Sequence, residues 1–130
     1  MMKRFSIVLL TSALVSGLSL VGLGSAAAEG KCGKKGQPMC PLQGWMEENV
    51  QKPMDKGDWK AVSKAMKKAA GMAPDASWNE GDKSWKKMAE ESAKAAASGD
   101  EKAIKATCKS CHKAWRKKYR KEFREKPVKG

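Results

Sequence analysis

Branched aliphatic residues are nearly missing from most of this chain. From Glu29 onward there is one Leu, one Ile and three Val, with one Phe. So small an aliphatic set beside a high net charge normally reads as disorder. Histidine is scarcer still: the 130 residues hold one, with four cysteines. A tetrahedral zinc site needs about four ligands. Cys32 and Cys40 stand far upstream of Cys108, Cys111 and His112, with seven residues between them, a poor match to that pattern. No protein nucleophile stands out, so the chain is not read as an enzyme. No stretch alternates like a half-buried strand, and there is no internal repeat.

Against these absences stand five Trp, and six Met from Glu29 onward, with many Ala in helical spacing. Either the chain is unfolded, or something other than Leu and Ile fills its core. A large apolar cofactor would do so.

The first residues, MMKRF, are basic, SIVLLTSALVSGLSLVGLG is apolar, and Ala26 to Ala28 form an Ala-x-Ala site. That is the layout of a secretory signal peptide over residues 1–28. A membrane anchor is the alternative, but Ser and Gly interrupt the run and a small-residue site ends it. Cys32 follows Glu29-Gly30-Lys31, which lacks the small apolar neighbours of a lipoprotein cysteine. Cleavage leaves about 102 residues, exported to a bacterial periplasm, with no stable membrane insertion. Removing Lys3 and Arg4 takes the formal charge from +13 to +11, since no acid precedes Glu29. Such a charge favours acidic protein surfaces or anionic membranes. Nucleic acid, the usual alternative, is rarely met by an exported protein.

The segments between breakers predict four helices. PLQGWMEENVQKPMDKG has Pro41 in its first turn and Leu42, Met46 (or Trp45) and Val50 on one face; Pro53 kinks or ends it and Gly57 closes it. DWKAVSKAMKKAAGMAP has Asp58 as N-cap and an apolar stripe of Trp59, Val62, Met66, Ala69 and Ala70. SWNEGDKSWKKMAEESAKAAASGD puts Trp78, Trp85, Met88, Ser92 and Ala95 on one face, with Gly81 weakening the first turn and Gly99 ending it. DEKAIKATCKSCHKAWRKKYRKEFREKP is capped by Asp100, carries Ile104, Cys108, Cys111, Trp115 and Tyr119 at spacings of three and four, and stops at Pro127. Short links between helices imply an all-α antiparallel four-helix bundle over residues 41–130. Most Trp and Met on these stripes are core, and most lysines are solvated surface.

CKSCH, at positions 108 to 112, concentrates three scarce residues. On a helix, Cys108, Cys111 and His112 emerge on nearly one face. Two thiols so spaced can each form a thioether with one haem vinyl group, and the following histidine then sits under the iron. C-x-x-C-H is the c-type attachment signature for that reason. A thioredoxin-type C-x-x-C wants a strand leading into its helix. A disulfide within the motif leaves His112 unexplained. One covalent haem c also answers the composition, since its ring supplies the apolar surface that a small core lacks.

A four-helix bundle with C-x-x-C-H near its C-terminus resembles the cytochrome c-prime and cytochrome c-556 family. CKSCHKAWRKKYR is similar to that family's Cys-x-x-Cys-His-x-x-Tyr-Arg-x-x-Tyr pattern, with Trp115 in the first aromatic position and Arg116 in the basic one. The resemblance covers about Pro41 to Lys126, and its specific part is the C-terminal motif. It implies a covalently bound haem inside the bundle, with His112 as proximal ligand. Six-coordinate members add a Met from the first helix and transfer electrons; five-coordinate members leave that face open and bind small gases. Met46 suits the Met position, with Met39 and Met54 as rivals. If Met46 is core, Leu42 roofs the distal face. KCGKKGQPMCP, within the N-terminal segment 29–40, departs from the family. Cys32 and Cys40 there close a short Gly-rich loop, and a disulfide is the natural reading in an oxidising compartment, free thiols the alternative.

The expected function is one-electron transfer between acidic redox proteins. The rivals are a gas-binding haem protein trapping NO or CO, and a haem-free basic structural or metal-storing protein. A homodimer is a further expectation from the family, opposed by the +11 charge unless the contact faces lack lysine.

Overall fold

A computed structural model describes residues 30–129. The signal peptide expected over 1–28 lies outside the described residues. Among the described residues the regular structure is helical, in four helices, and no helix is long and apolar enough to cross a membrane.

Helix α1 is one continuous run: an α-helical start, Pro41–Met46, a π-helical segment, Glu47–Gln51, and a last α-helical turn, Lys52–Asp55. Pro41 fits at the first position, where its missing N–H has no partner to lose. Pro53 neither ends the helix nor stands at its limit. The widened turns fall immediately before it, where its missing N–H already breaks the hydrogen-bond ladder. Helix α2 spans Trp59–Ala69, and the Asp58 carboxylate caps it by accepting from the Ala61 N–H at 3.0 Å.

The third predicted helix is shorter than its stripe suggested. Trp78 lies on a separate 3-10 turn, Ala76–Asn79, and helix α3 starts only at Trp85 and runs to Ala97. Gly81, at φ +77°, breaks the path, and Ser84 begins it again by accepting from the Lys87 N–H at 3.2 Å. The link between α2 and α3 therefore holds a turn of its own. Helix α4, Glu101–Glu122, is capped by Asp100, whose carboxylate accepts from the Ala103 N–H at 2.9 Å. It ends before Pro127, because the backbone leaves the helix at Phe123, whose ring turns onto Trp78.

The core is built from the residues the composition offered in place of Leu and Ile. One cluster joins Val50, Val62, Met66, Met72 and Ile104 with six alanines. Alanine lets α2 and α3 approach closely, and the Ser63 hydroxyl bridges them by donating to the Ala93 carbonyl at 2.9 Å. The second cluster centres on Leu42, Trp78 and Trp85, with Trp45, Met46, Trp115, Tyr119 and Phe123 packed around them. Trp85 ties it to the end of α2, its indole N–H donating to the Ala69 carbonyl at 2.7 Å.

Helix α1 packs on α2 through its second half, α2 on α3, and α3 on α4. The backbones of α1 and α4 come nowhere within 8 Å of one another between Cα atoms. Side chains and the N-terminal loop connect them instead. Leu42 shares the lining of a cavity of about 60 Å³ with Tyr119, Phe123 and Val128. Cys32 and Cys40 are joined by a disulfide. The Lys31 N–H donates to the Glu125 carboxylate at 2.7 Å, and Gly30 lies so close beneath the Arg124 guanidinium that a Cβ there would meet it at 1.8 Å.

Candidate functional site

Helix α4 brings the chemistry-bearing residues together because Asp100 starts it in register and nothing in its 22 residues breaks it. Cys108 is half-buried and packs against the first apolar cluster. Cys111 is half-buried one turn further on. Both carry free thiols, whereas Cys32 and Cys40 are consumed in their own bond. A zinc site drawing on all four cysteines is therefore out of reach. Among the described residues no group of three or more His, Cys, Asp or Glu is arranged to hold a metal ion by itself.

Burial pushes the Cys111 thiol up to about 11, with the neighbouring Cys108 adding to the shift, and burial raises Cys108 as well. These are neutral thiols at pH 7. A dithiol exchange centre instead depends on a stabilised thiolate.

His112 is exposed at the surface of α4. Partial desolvation, and then the positive charge of Arg116, holds its imidazole below the usual histidine range, which favours the neutral form that ligates metals. It borders an open depression of about 580 Å³ whose other walls are Arg116, Lys117, Arg120, Lys121 and Arg124. No carboxylate lines it.

Trp115, one turn beyond His112, turns the other way. It stacks on Trp78 with ring centroids 4.5 Å apart and planes 17° from parallel. Its indole N–H donates to the Lys83 carbonyl at 3.1 Å. Trp78 is 1% exposed and also meets Phe123 edge-on at 5.4 Å and Trp85 at 5.9 Å. Trp78 is thus the buried post that fixes the rotation of α4, and so the direction of His112. The sequence marked it as a core residue but not as a support for the motif.

The expected site residues fall into two groups. His112 and Arg116 share the basic depression. Leu42, Met46 and Trp115 share the second apolar cluster, with Leu42 buried and Met46 half-buried where it touches both clusters. Met46 stands where the π-helical segment begins. Met54 packs against the first cluster, and Met39 is 54% exposed. Arg124, just past the end of α4, is the residue of this depression that the basic fourth helix does not itself suggest. His112, Arg116 and Arg120 recur at four-residue steps along one face of α4, and Arg124 continues that step in the turn beyond the helix.

The donor set on α4 fits a covalent haem in its chemistry. Two free thiols and an imidazole that favours its neutral form stand at attachment spacing. Cys108, Cys111 and His112 would hold it. No protein-family model, no characterised protein and no solved structure matches this chain.

Proposed function

We propose that the chain is an exported c-type cytochrome, an antiparallel four-helix bundle similar to the cytochrome c-prime and c-556 family, that carries single electrons. One observation supports this reading above the others. The chain has two pairs of cysteines; one pair is bonded, and the free pair is the one followed directly by the only histidine. A redox or structural role for all four thiols leaves that division and His112 without a purpose.

The bound haem would supply a one-electron couple. The remaining work belongs to the chain. Cys108 and Cys111 would anchor the group by thioethers, and His112 would ligate it. Trp115, held by Trp78, fixes the helix rotation. Apolar side chains of the two clusters beside the motif would limit water and influence the potential. Met46 would supply the second protein ligand to the iron, and no protein group acts as a nucleophile. Acidic redox proteins are the proposed partners, in the periplasm, with no nucleic acid.

Gas binding is the second reading, and the burial of Leu42 favours it. Leu42 is closed into the second cluster, while Met46 only borders it, as suits a distal face roofed by an apolar side chain. The test is one optical spectrum of the purified mature protein, oxidised and reduced, with a pyridine haemochrome assay after acid-acetone extraction. Haem retained through extraction supports the cytochrome reading, and haem lost or absent refutes it. A low-spin spectrum in both oxidation states supports electron transfer; a high-spin one moves gas binding ahead.

A further inference from the structure

The depression beside His112 joins five cations and no acid. Some of the cations elsewhere on the chain are engaged. Lys52 pairs with Glu48, Lys87 with Asp82 at 3.7 Å, and Lys105 with Glu101. Lys118 lies over the Trp78 ring at 5.0 Å and Lys126 over Phe123 at 4.6 Å. Arg116, Lys117, Arg120, Lys121 and Arg124 have no such partner among the described residues. One guanidinium nitrogen of Arg124 is buried with nothing to bond. Cations crowded into one concavity repel each other, a cost that an incoming anionic surface removes.

We infer that this depression is the docking face for an acidic protein surface, which it seats against the helix face that carries His112. The inference deepens the proposed function and rests on it for the purpose of docking, though not for the binding itself. From His112 to Arg124 the helix and its extension run about 18 Å at 1.5 Å per residue. That length matches three to four carboxylates spaced about one helical turn apart on a partner. A membrane surface is the weaker occupant. Interfacial binding inserts apolar side chains beside the cations, and among the described residues the one large hydrophobic side chain left exposed is Met39, on the N-terminal loop.

The test uses the purified full mature holoprotein and a synthetic poly-L-glutamate probe at low ionic strength. The double charge reversal Arg120→Glu/Lys121→Glu is compared with Lys60→Glu/Lys64→Glu on α2, which changes net charge equally. The expected result is an affinity at least about tenfold weaker for the α4 variant and changed by less than about twofold for the α2 control, since local rather than total charge is read. Equal losses in both variants overturn the inference. So does tighter, α4-dependent binding to phosphatidylglycerol vesicles than to poly-glutamate, or self-association of the chain that the α4 reversal abolishes. Covalent haem is scored separately on each sample. If haem is absent while the α4-specific binding persists, the cytochrome reading fails and the docking face stands.

Discussion

Replacing Trp78 with Ala should cost the fold more than most other single changes in the second cluster. The indole is 1% exposed, and three aromatic rings contact it: Trp115 stacked at 4.5 Å, Phe123 edge-on at 5.4 Å and Trp85 at 5.9 Å. A buried Trp→Ala change costs about 3–5 kcal/mol when the cavity cannot collapse. Collapse is hindered here because the surrounding rings are anchored elsewhere. Trp85 is hydrogen-bonded to the end of α2, and Trp115 to the Lys83 carbonyl. A domain of about 100 residues has about 5–15 kcal/mol in total, and each kcal/mol moves its thermal midpoint by about 4–8 °C. Trp78→Ala should therefore lower the midpoint of the far-ultraviolet circular dichroism transition by about 15 °C or more, and Trp78→Phe by much less. In a double-mutant cycle with Trp115→Ala the two losses should fall short of additive by about 1 kcal/mol, the worth of the stacked pair. A midpoint for Trp78→Ala within about 5 °C of the wild type would refute the reasoning, and full additivity would refute the stack.

The same turn is held by Asp75, whose carboxylate accepts from the Ser77 hydroxyl at 2.6 Å and the Ser77 N–H at 2.9 Å. Those bonds, the hydroxyl's first, hold its pKa below the ordinary 3.8. Its contribution is thus present above about pH 4 and lost as the pH falls through the lowered value, so Asp75→Ala should flatten the acid limb of stability measured by urea denaturation from pH 5 to 2. Asp100→Ala removes the α4 cap and should cost about 1 kcal/mol in the same assay. A thiol count on denatured holoprotein should find no reactive thiol before reductant and two after, from Cys32 and Cys40; two thiols without reductant would remove the disulfide. Met46→Ala should turn a low-spin haem high-spin and open to carbon monoxide while covalent haem is kept; an unchanged low-spin spectrum assigns the ligand to another residue, with Met39 and Met54 next.

Local signals in the sequence carried furthest. Asp58 and Asp100 cap their helices as expected, because a cap needs only its own carboxylate and an N–H three residues on. The disulfide between Cys32 and Cys40 was legible for a similar reason, with eight positions separating them in sequence. The third helix starts later than its stripe predicts, because Trp78 and Trp85 stand seven residues apart, a spacing that suits one helix face without requiring one. Gly81 and Ser84 between them were the stronger signals, a positive φ and a new N-cap. Pro127 predicts a later end to the fourth helix than the structure has, because the backbone already leaves the helix at Phe123, whose ring meets the distant Trp78. The π-helical segment before Pro53 had no sequence signal beyond the proline itself.

The same division between local and long-range information runs through the candidate site. Cys108, Cys111 and His112 lie on one helix within five positions, so their shared face follows from helical periodicity whatever the rest of the chain does. Their supports do not. Trp115 owes its direction to Trp78, 37 positions earlier, on a turn the sequence reading had merged into a helix. Met46 depends on longer-range placement still, since α1 and α4 approach through side chains and the N-terminal loop rather than through their backbones. The widened turns that begin right after Met46 also rotate the remainder of α1 away from ideal helical phase. The apolar stripe of Leu42, Met46 and Val50 on α1 therefore specifies which residues are apolar but not which one faces α4. The proposed attachment of a haem rests on one helix and five residues. The proposed Met46 ligand would depend on how two distant helices are rotated against each other, which is why the spectrum of Met46→Ala carries information that the motif does not.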